Sequence, residues 1–386
     1  MPTGKTLAVV TAGAVLALAP VTAAGATDGG GSAAPSKVWV GGGGHGHCGG
    51  KAAYTTITAG LAAVKAGGTV HVCPGTYHED VLVDKAVTLV GKHAVVSPDA
   101  SDSTFLTEPT GGNNAFTVVS PHVTIRNFTV KEATADGIIL LGDYGRIEHV
   151  RAMNNGINGI NIDGSSHSVI RHNTITNNGG GIELANDPLA AGIVLPGVSG
   201  TAAYNLVEDN TVTDNPAACA IYLVDHAGSD HPGDWRGIHD NYIHGNYVVR
   251  NALKGFGGGV LFATPVPGGA VYNNRVQANY ISTNGLPGVA LHSHVPGQDL
   301  NGNVVWGNVI GTNNILGAEA GDAETTGVFV GSQDPVSITV QGNVITDNHF
   351  GVFTAGPVTV LHVMHNIFRN VDVNVSGIPV WVEPPM

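Results

Sequence analysis

NTITNN (173–178), NTVTDN (210–215), NYVVRN (246–251), NYISTN (279–284), NVIGTN (308–313) and NVITDN (343–348) are six copies of one hexapeptide, Asn-x-[Val/Ile]-x-x-Asn. Their first residues lie 37, 36, 33, 29 and 35 positions apart, and HNIFRN (365–370) is a further copy that breaks the spacing by one. A second element runs between them: GIIL (137–140), GINI (159–162), GIEL (181–184), GVLF (259–262), GVAL (288–291) and GVFV (327–330), with AIYL (220–223) and GVFT (351–354) as looser copies. Each repeat therefore holds two or three short alternating strands between Gly or Asn corners. Both residues tolerate left-handed backbone, and stacked Asn side chains can bond from corner to corner. Inward apolar residues then stack on their counterparts one coil away, about 4.8 Å along the axis. A coil of this kind is unstable alone and is stabilised by its neighbours, which is the logic of a parallel β-solenoid. The variable intervals mean a constant coil with loops of different length inserted at its corners.

Composition agrees. The chain has 386 residues with 56 Gly, 20 Pro, 12 % charged and 6 % aromatic residues. Gly at about twice its usual frequency and so few charges exclude an ordinary helical protein. The 42 % hydrophobic content excludes disorder.

The coil pattern resembles the right-handed parallel β-helix repeats of the pectate-lyase-like superfamily, and residues 54–91 resemble that superfamily's N-terminal cap and first coils. The resemblance covers roughly Val38 to Val375. It implies an all-β, right-handed parallel β-helix of about ten coils with a short N-terminal capping helix, the coil number following from the repeat period. For function it implies only a range, from lyases and epimerases of acidic polysaccharides through hydrolases to adhesins and periplasmic accessory proteins. The cap is also legible directly: Ile57, Leu61, Ala62 and Val64 form an apolar stripe that Ala66, Gly67 and Gly68 end. Thr69 to Cys73, Asp80 to Val83 and Ala86 to Val90 alternate as strands, with Pro74-Gly75 as a turn.

Lys5, the apolar run Leu7 to Leu18 and Ala24-Gly25-Ala26 read as a secretory signal cleaved after Ala26. Residues 27–37 follow as a linker, and 38–386 as one domain. The expected location is secreted and extracellular. Losing Lys5 with the leader takes the formal charge from −13 to −14. Such an acidic chain, without Lys/Arg clusters or a basic helix, excludes nucleic acid and anionic membrane surfaces as partners. Three cysteines in a secreted chain suggest one bridge, with Cys48 and Cys73 as the pair near the N-terminal edge and Cys219 as a buried thiol among apolar neighbours.

Aligning the Gly-apolar-x-apolar elements puts the residues that follow them into vertical registers beside one corner. One reads Asp163, Ala185, Val224, Ala263, His292; the next Asn186, Asp225, Thr264, Ser293; the next Asp187, His226, Pro265, His294, Gln333. The long insertions 186–204 and 226–238 fall at the same corner, where loops of that length are usually functional. Acid–base chemistry on a sugar needs a base and an acid of tuned pKa held close together. His292, His294 and His226 are the expected acid or base, with Asp187 and Asp225 orienting or charge-balancing the imidazoles. Glu183, Asp163, Asp299, Lys254 and Tyr222 are the expected substrate contacts. The alternative is that Asp and His at these corners cap turns and face water. No metal site is assigned, and no cofactor is required by the sequence, although a divalent cation such as calcium is compatible with the acidic loop 322–326.

The expected activity is polysaccharide lyase or epimerase chemistry on a carbohydrate partner, by a monomer or a side-by-side homo-oligomer. Two other classes stay open: a non-catalytic surface or glycan-binding module, and a metal-accessory protein. No pair of aspartates matches the polygalacturonase signature, and the calcium-plus-arginine arrangement of pectate lyases is not evident, so no substrate is named.

Overall fold

The computed structural model describes residues 33–41, 48, 52–99, 112–186, 200–228, 237–255, 257–317 and 324–379. The leader over 1–26 and most of the linker lie outside the described residues. From Pro35 onward the chain is one compact unit, a right-handed parallel β-helix with three faces.

Each coil contributes one short strand to each face, and the strands pair in parallel with those of the coils on either side. The first face begins at Lys37–Val40, Thr69–Val72 and the start of Thr88–Val96. It continues through Val169–Arg171, Leu206–Glu208, Tyr242–His244, Arg275–Gln277 and Val304–Trp306 to Val358–Leu361. The second face includes Thr174–Thr176, Thr211–Thr213, Tyr247–Val249 and Tyr280–Ser282. The third includes Asn158–Asp163, Gly180–Ala185, Ile221–Val224, Val260–Thr264, Val289–Ser293 and Thr326–Gly331. Among the described residues this last face carries eleven strands, one more than the coil number read from the period.

The register explains the repeat. On the third face Ile160, Ile182, Ile221, Val260, Val289 and Val328 stack directly on one another, all fully buried. Burial of each such side chain contributes about 1.5–3 kcal/mol. The two Asn of the hexapeptide mark the two corners flanking the second face. At the first corner Asn173, Asn210, Asn246, Asn279, Asn308 and Asn343 form a column. Each Nδ2 donates to the next Oδ1 at 2.9–3.0 Å, and each Oδ1 also accepts the backbone N–H of the preceding Asn. The second corner repeats this through Asn155, Asn178, Asn215, Asn251, Asn284 and Asn313. A third column that the hexapeptide does not contain, Asn205, Asn241, Asn274 and Asn303, stands before the first face. The residue before a ladder Asn often takes the left-handed conformation, as at His172, Asp209, Asn177, Asp214, Tyr204 and Asp240. That turn aims the Asn side chain inward while its neighbour points to solvent.

The N-terminal lid is the helix Ile57–Ala63. Thr56 caps it by accepting from the Ala59 N–H, and Glu79 accepts from the amides of Ile57 and Thr58 at 2.7 and 3.0 Å. A carboxylate at this end complements the helix dipole. The buried face is Ile57, Gly60 and Leu61, whereas Ala62 of the expected stripe is exposed. Gly60 takes its place because the helix sits so close to the first coil that a Cβ there would lie 2.5 Å from Val40 Cγ2. An extra short strand, Gly75–Tyr77, occupies the stretch read as a turn. Cys48 and Cys73 form the expected disulfide, closing a loop of 25 residues over the first coil. Cys219 is buried and outside any disulfide among the described residues, and its sulfur accepts the Gly258 N–H at 3.2 Å.

Candidate functional site on the third face

The outward columns of the third face differ from the rest of the exterior because they are shielded from solvent. One column runs Asn161, Glu183, Tyr222, Leu261, Ala290, Phe329; its neighbour runs Asp163, Ala185, Val224, Ala263, His292. Asn161 is 3 % exposed, Asp163 5 % and Glu183 9 %. Polar groups with so little water around them must be satisfied by each other.

Five of them are. Asp136, fully buried, accepts the Asn158 backbone N–H at 2.8 Å and the Asn161 amide at 3.1 Å. Asn158 Nδ2 donates to Glu183 Oε2 at 2.7 Å, and the Tyr222 hydroxyl donates to Asn158 Oδ1. The other Glu183 oxygen, Oε1, lies 3.5 Å from His226 Nε2. The Glu183 side chain is 12 % exposed and His226 40 %, so the network runs from a dry interior to a wet imidazole. Burial, reinforced by the negative charges of Glu183 and Asp136, pushes the Tyr222 phenol well above its ordinary value, so it stays protonated. Among the described residues Asn161 Oδ1 is buried with no hydrogen-bond partner. The set thus offers a neutral hydroxyl donor, a carboxylate-paired imidazole and a buried amide oxygen across three consecutive rungs.

The expected site residues separate into groups. Glu183, Tyr222 and His226 come together. Asp163 lies on the Asn161 strand, two residues further along. Asp187 lies outside the described residues. Asp225 serves a turn: its carboxylate accepts the amides of Ala227 and Gly228 at 3.1 Å each and of Ala270 at 2.7 Å. His292 and His294 pack edge to face at 4.6 Å, two rungs beyond Tyr222, or about 10 Å at the usual strand spacing. The loop after them is held by Gln298, which accepts the His294 N–H and donates to Val266 O. Asp299 is exposed and caps the turn at Asn301. Lys254 sits in the turn before Val260–Thr264 with its amide bonded to Pro216 O, and no bond links it to the network among the described residues. Asp136, Asn158 and Asn161 are absent from the sequence reading. Their signal lies in two registers, the residue just before each Gly (Asp136, Asn158) and the second residue after it (Asn161, Glu183, Tyr222). Among the described residues no group of three or more His, Cys, Asp or Glu is arranged to hold a metal ion.

Residues 92–255 match the sequence model of a family described as periplasmic copper-binding protein (NosD). No curated protein matches the sequence. Among solved structures, the A-module of mannuronan C-5 epimerase AlgE4 from Azotobacter vinelandii superimposes with a TM-score of 0.58 at 15 % identity, over 84 % of this chain and 94 % of that one. An alginate lyase from Paenibacillus sp. str. FPU-7 gives 0.50 at 15 % identity, over 84 % and 96 %. At such identities the likeness is one of fold. The chain has a right-handed parallel β-helix fold over nearly its whole described length.

Proposed function

We propose that the chain is a secreted carbohydrate-active protein that works on an acidic polysaccharide in the manner of a lyase or epimerase. The observation that carries this reading is the shielded network from Asp136 through Asn158, Glu183 and Tyr222 to His226. Elimination and epimerisation both begin by removing the proton next to a uronate carboxyl group. His226, paired with Glu183, is the proposed base. Tyr222, held protonated, is the proposed acid, giving its proton to the leaving oxygen in elimination or to the opposite face of the carbanion in epimerisation. His292 and His294 are proposed to contact the polymer two rungs further along, and Asp187 to charge-balance the imidazoles. Solved β-helix structures named for an alginate lyase and a mannuronan epimerase support the class of polymer. The signal-like leader and the disulfide support secretion, and no helix among the described residues is long and apolar enough to cross a membrane.

The test is a screen of the mature protein on acidic and neutral polysaccharides, reading unsaturated products, reducing ends and inverted uronate separately. Activity confined to neutral polymers, or none on any, defeats the proposal. The family match over 92–255 supports a second reading, a non-catalytic metal-accessory protein. Purified protein that carries no copper or zinc and takes up none would remove it.

A further inference from the structure

Where strand Thr88–Val96 meets Thr124–Lys131 the pairing slips: Val90 pairs with Arg126 and Ala94 with Phe128, so Gly91, Lys92 and His93 stand opposite Asn127 alone. The bulge opens a cleft of about 390 Å3 at the corner between the first and second faces, lined by Gly91, Lys92, His93, Phe128, His149 and Arg151 among others. Its floor is the buried Phe128 ring. Gly91 is required for the close approach, since a Cβ there would lie 2.5 Å from Asn127 O and 3.0 Å from the Phe128 ring. His93 has a left-handed backbone, with φ of 50°.

The charge of this cleft opposes that of the chain. The protein carries 16 Lys and Arg against 29 Asp and Glu, yet no carboxylate lines the cleft, while Lys92, His93, His149 and Arg151 all do. All four are exposed. Among the described residues no ion pair involves Lys92 or Arg151, whereas Arg146 and Arg171 nearby both pair with Glu148, and Arg171 with Glu208 as well. His172 stacks on His149 at 5.1 Å and carries the basic edge to the next rung. Unpaired cations gathered in a concavity raise the local potential far above that of a flat surface. A guanidinium fork is matched to a carboxylate or sulfate.

We propose that this cleft is a second carbohydrate site, which holds the oxyanion of an acidic sugar at a corner of the solenoid that the third-face network does not occupy. The choice of a sugar as carrier rests on the function proposed above; the oxyanion does not. The shared chemistry is a carboxylate or a sulfate ester on a polysaccharide.

The experiment is calorimetric titration of the Tyr222→Phe protein, so that no polymer is consumed, with polygalacturonate oligomers, dextran sulfate and neutral dextran at low salt. Binding of either anionic polymer without binding of dextran is expected; which one binds identifies the anion. Lys92→Gln combined with Arg151→Gln should weaken that binding about tenfold with an unchanged melting curve, Arg151→Lys should lose less, and the remote Arg369→Gln should lose nothing. Equal binding of neutral dextran overturns the proposal, as does a double variant that binds like its parent or an Arg369→Gln that weakens binding as much. If no polymer is turned over by the wild type while the cleft still binds, the enzymatic proposal falls and this one stands.

Discussion

Asn177 and Asn178 are adjacent and chemically identical, yet the fold gives them different work, so replacing each by Ala measures the ladder directly. Asn178 Oδ1 accepts both the backbone N–H and the Nδ2 of Asn155, at 3.1 and 2.8 Å. Its own Nδ2 donates to Ala152 O and to Asn215 Oδ1, at 3.1 Å each. Asn178→Ala therefore strands two buried donors, the Asn155 amide and the Asn155 carboxamide, and removes one bond to the Ala152 carbonyl. At about 1–3 kcal/mol for each group left unsatisfied, the loss is about 2–6 kcal/mol. Asn177 is exposed with φ of 55°, and Ala there meets only the left-handed backbone penalty, about 1 kcal/mol. Urea unfolding followed by circular dichroism, with a common m value, reads the difference as a shift in midpoint. Equal midpoints for the two variants would refute the claim that the columns of Asn hold the corners.

Glu148 is held below the usual carboxylate range: burial alone would raise it, but hydrogen bonds and charge from Arg146 and Arg171 outweigh that. Its stabilising contribution is therefore present above pH 4.5, its ordinary value, and is lost as pH falls through the lowered folded value. Glu148→Gln should flatten the acid limb of a stability-against-pH curve, and an unchanged limb argues against the pairing. Reducing the Cys48–Cys73 bridge, which closes 25 residues, should cost about 3.5 kcal/mol by loop entropy. The loss should appear first in amide exchange of the Ile57–Ala63 cap; a melting curve unaffected by reductant contradicts this.

The architecture was readable because a solenoid repeats its constraints. Gly159, Gly181, Gly259 and Gly288 announce each third-face strand, and the paired Asn announce two of three corners. The third column stayed hidden because it begins only at Asn205, and its place in neighbouring coils is taken by Ser168 and Ile338. The site was half readable. The expectation followed residues beyond the strands, where Asp225 and Asp299 turned out to hold turns. Glu183, Tyr222 and His226 meet Asp136 and Asn158 because strand pairing carries positions before and within the strands into the same columns. Asp136 and Asn158 each stand next to a Gly and look like ordinary turn residues in one dimension. Only burial distinguishes them.

The central claim is that the Glu183–Tyr222–His226 group moves protons on a bound polyuronate. Its most direct test is the turnover number of Tyr222→Phe and His226→Gln on whichever acidic polymer the wild type converts, measured at saturating substrate. The account predicts a fall of at least about 100-fold in each, with melting temperatures and polymer affinity kept. Turnover within a factor of two of wild type in both variants would contradict it.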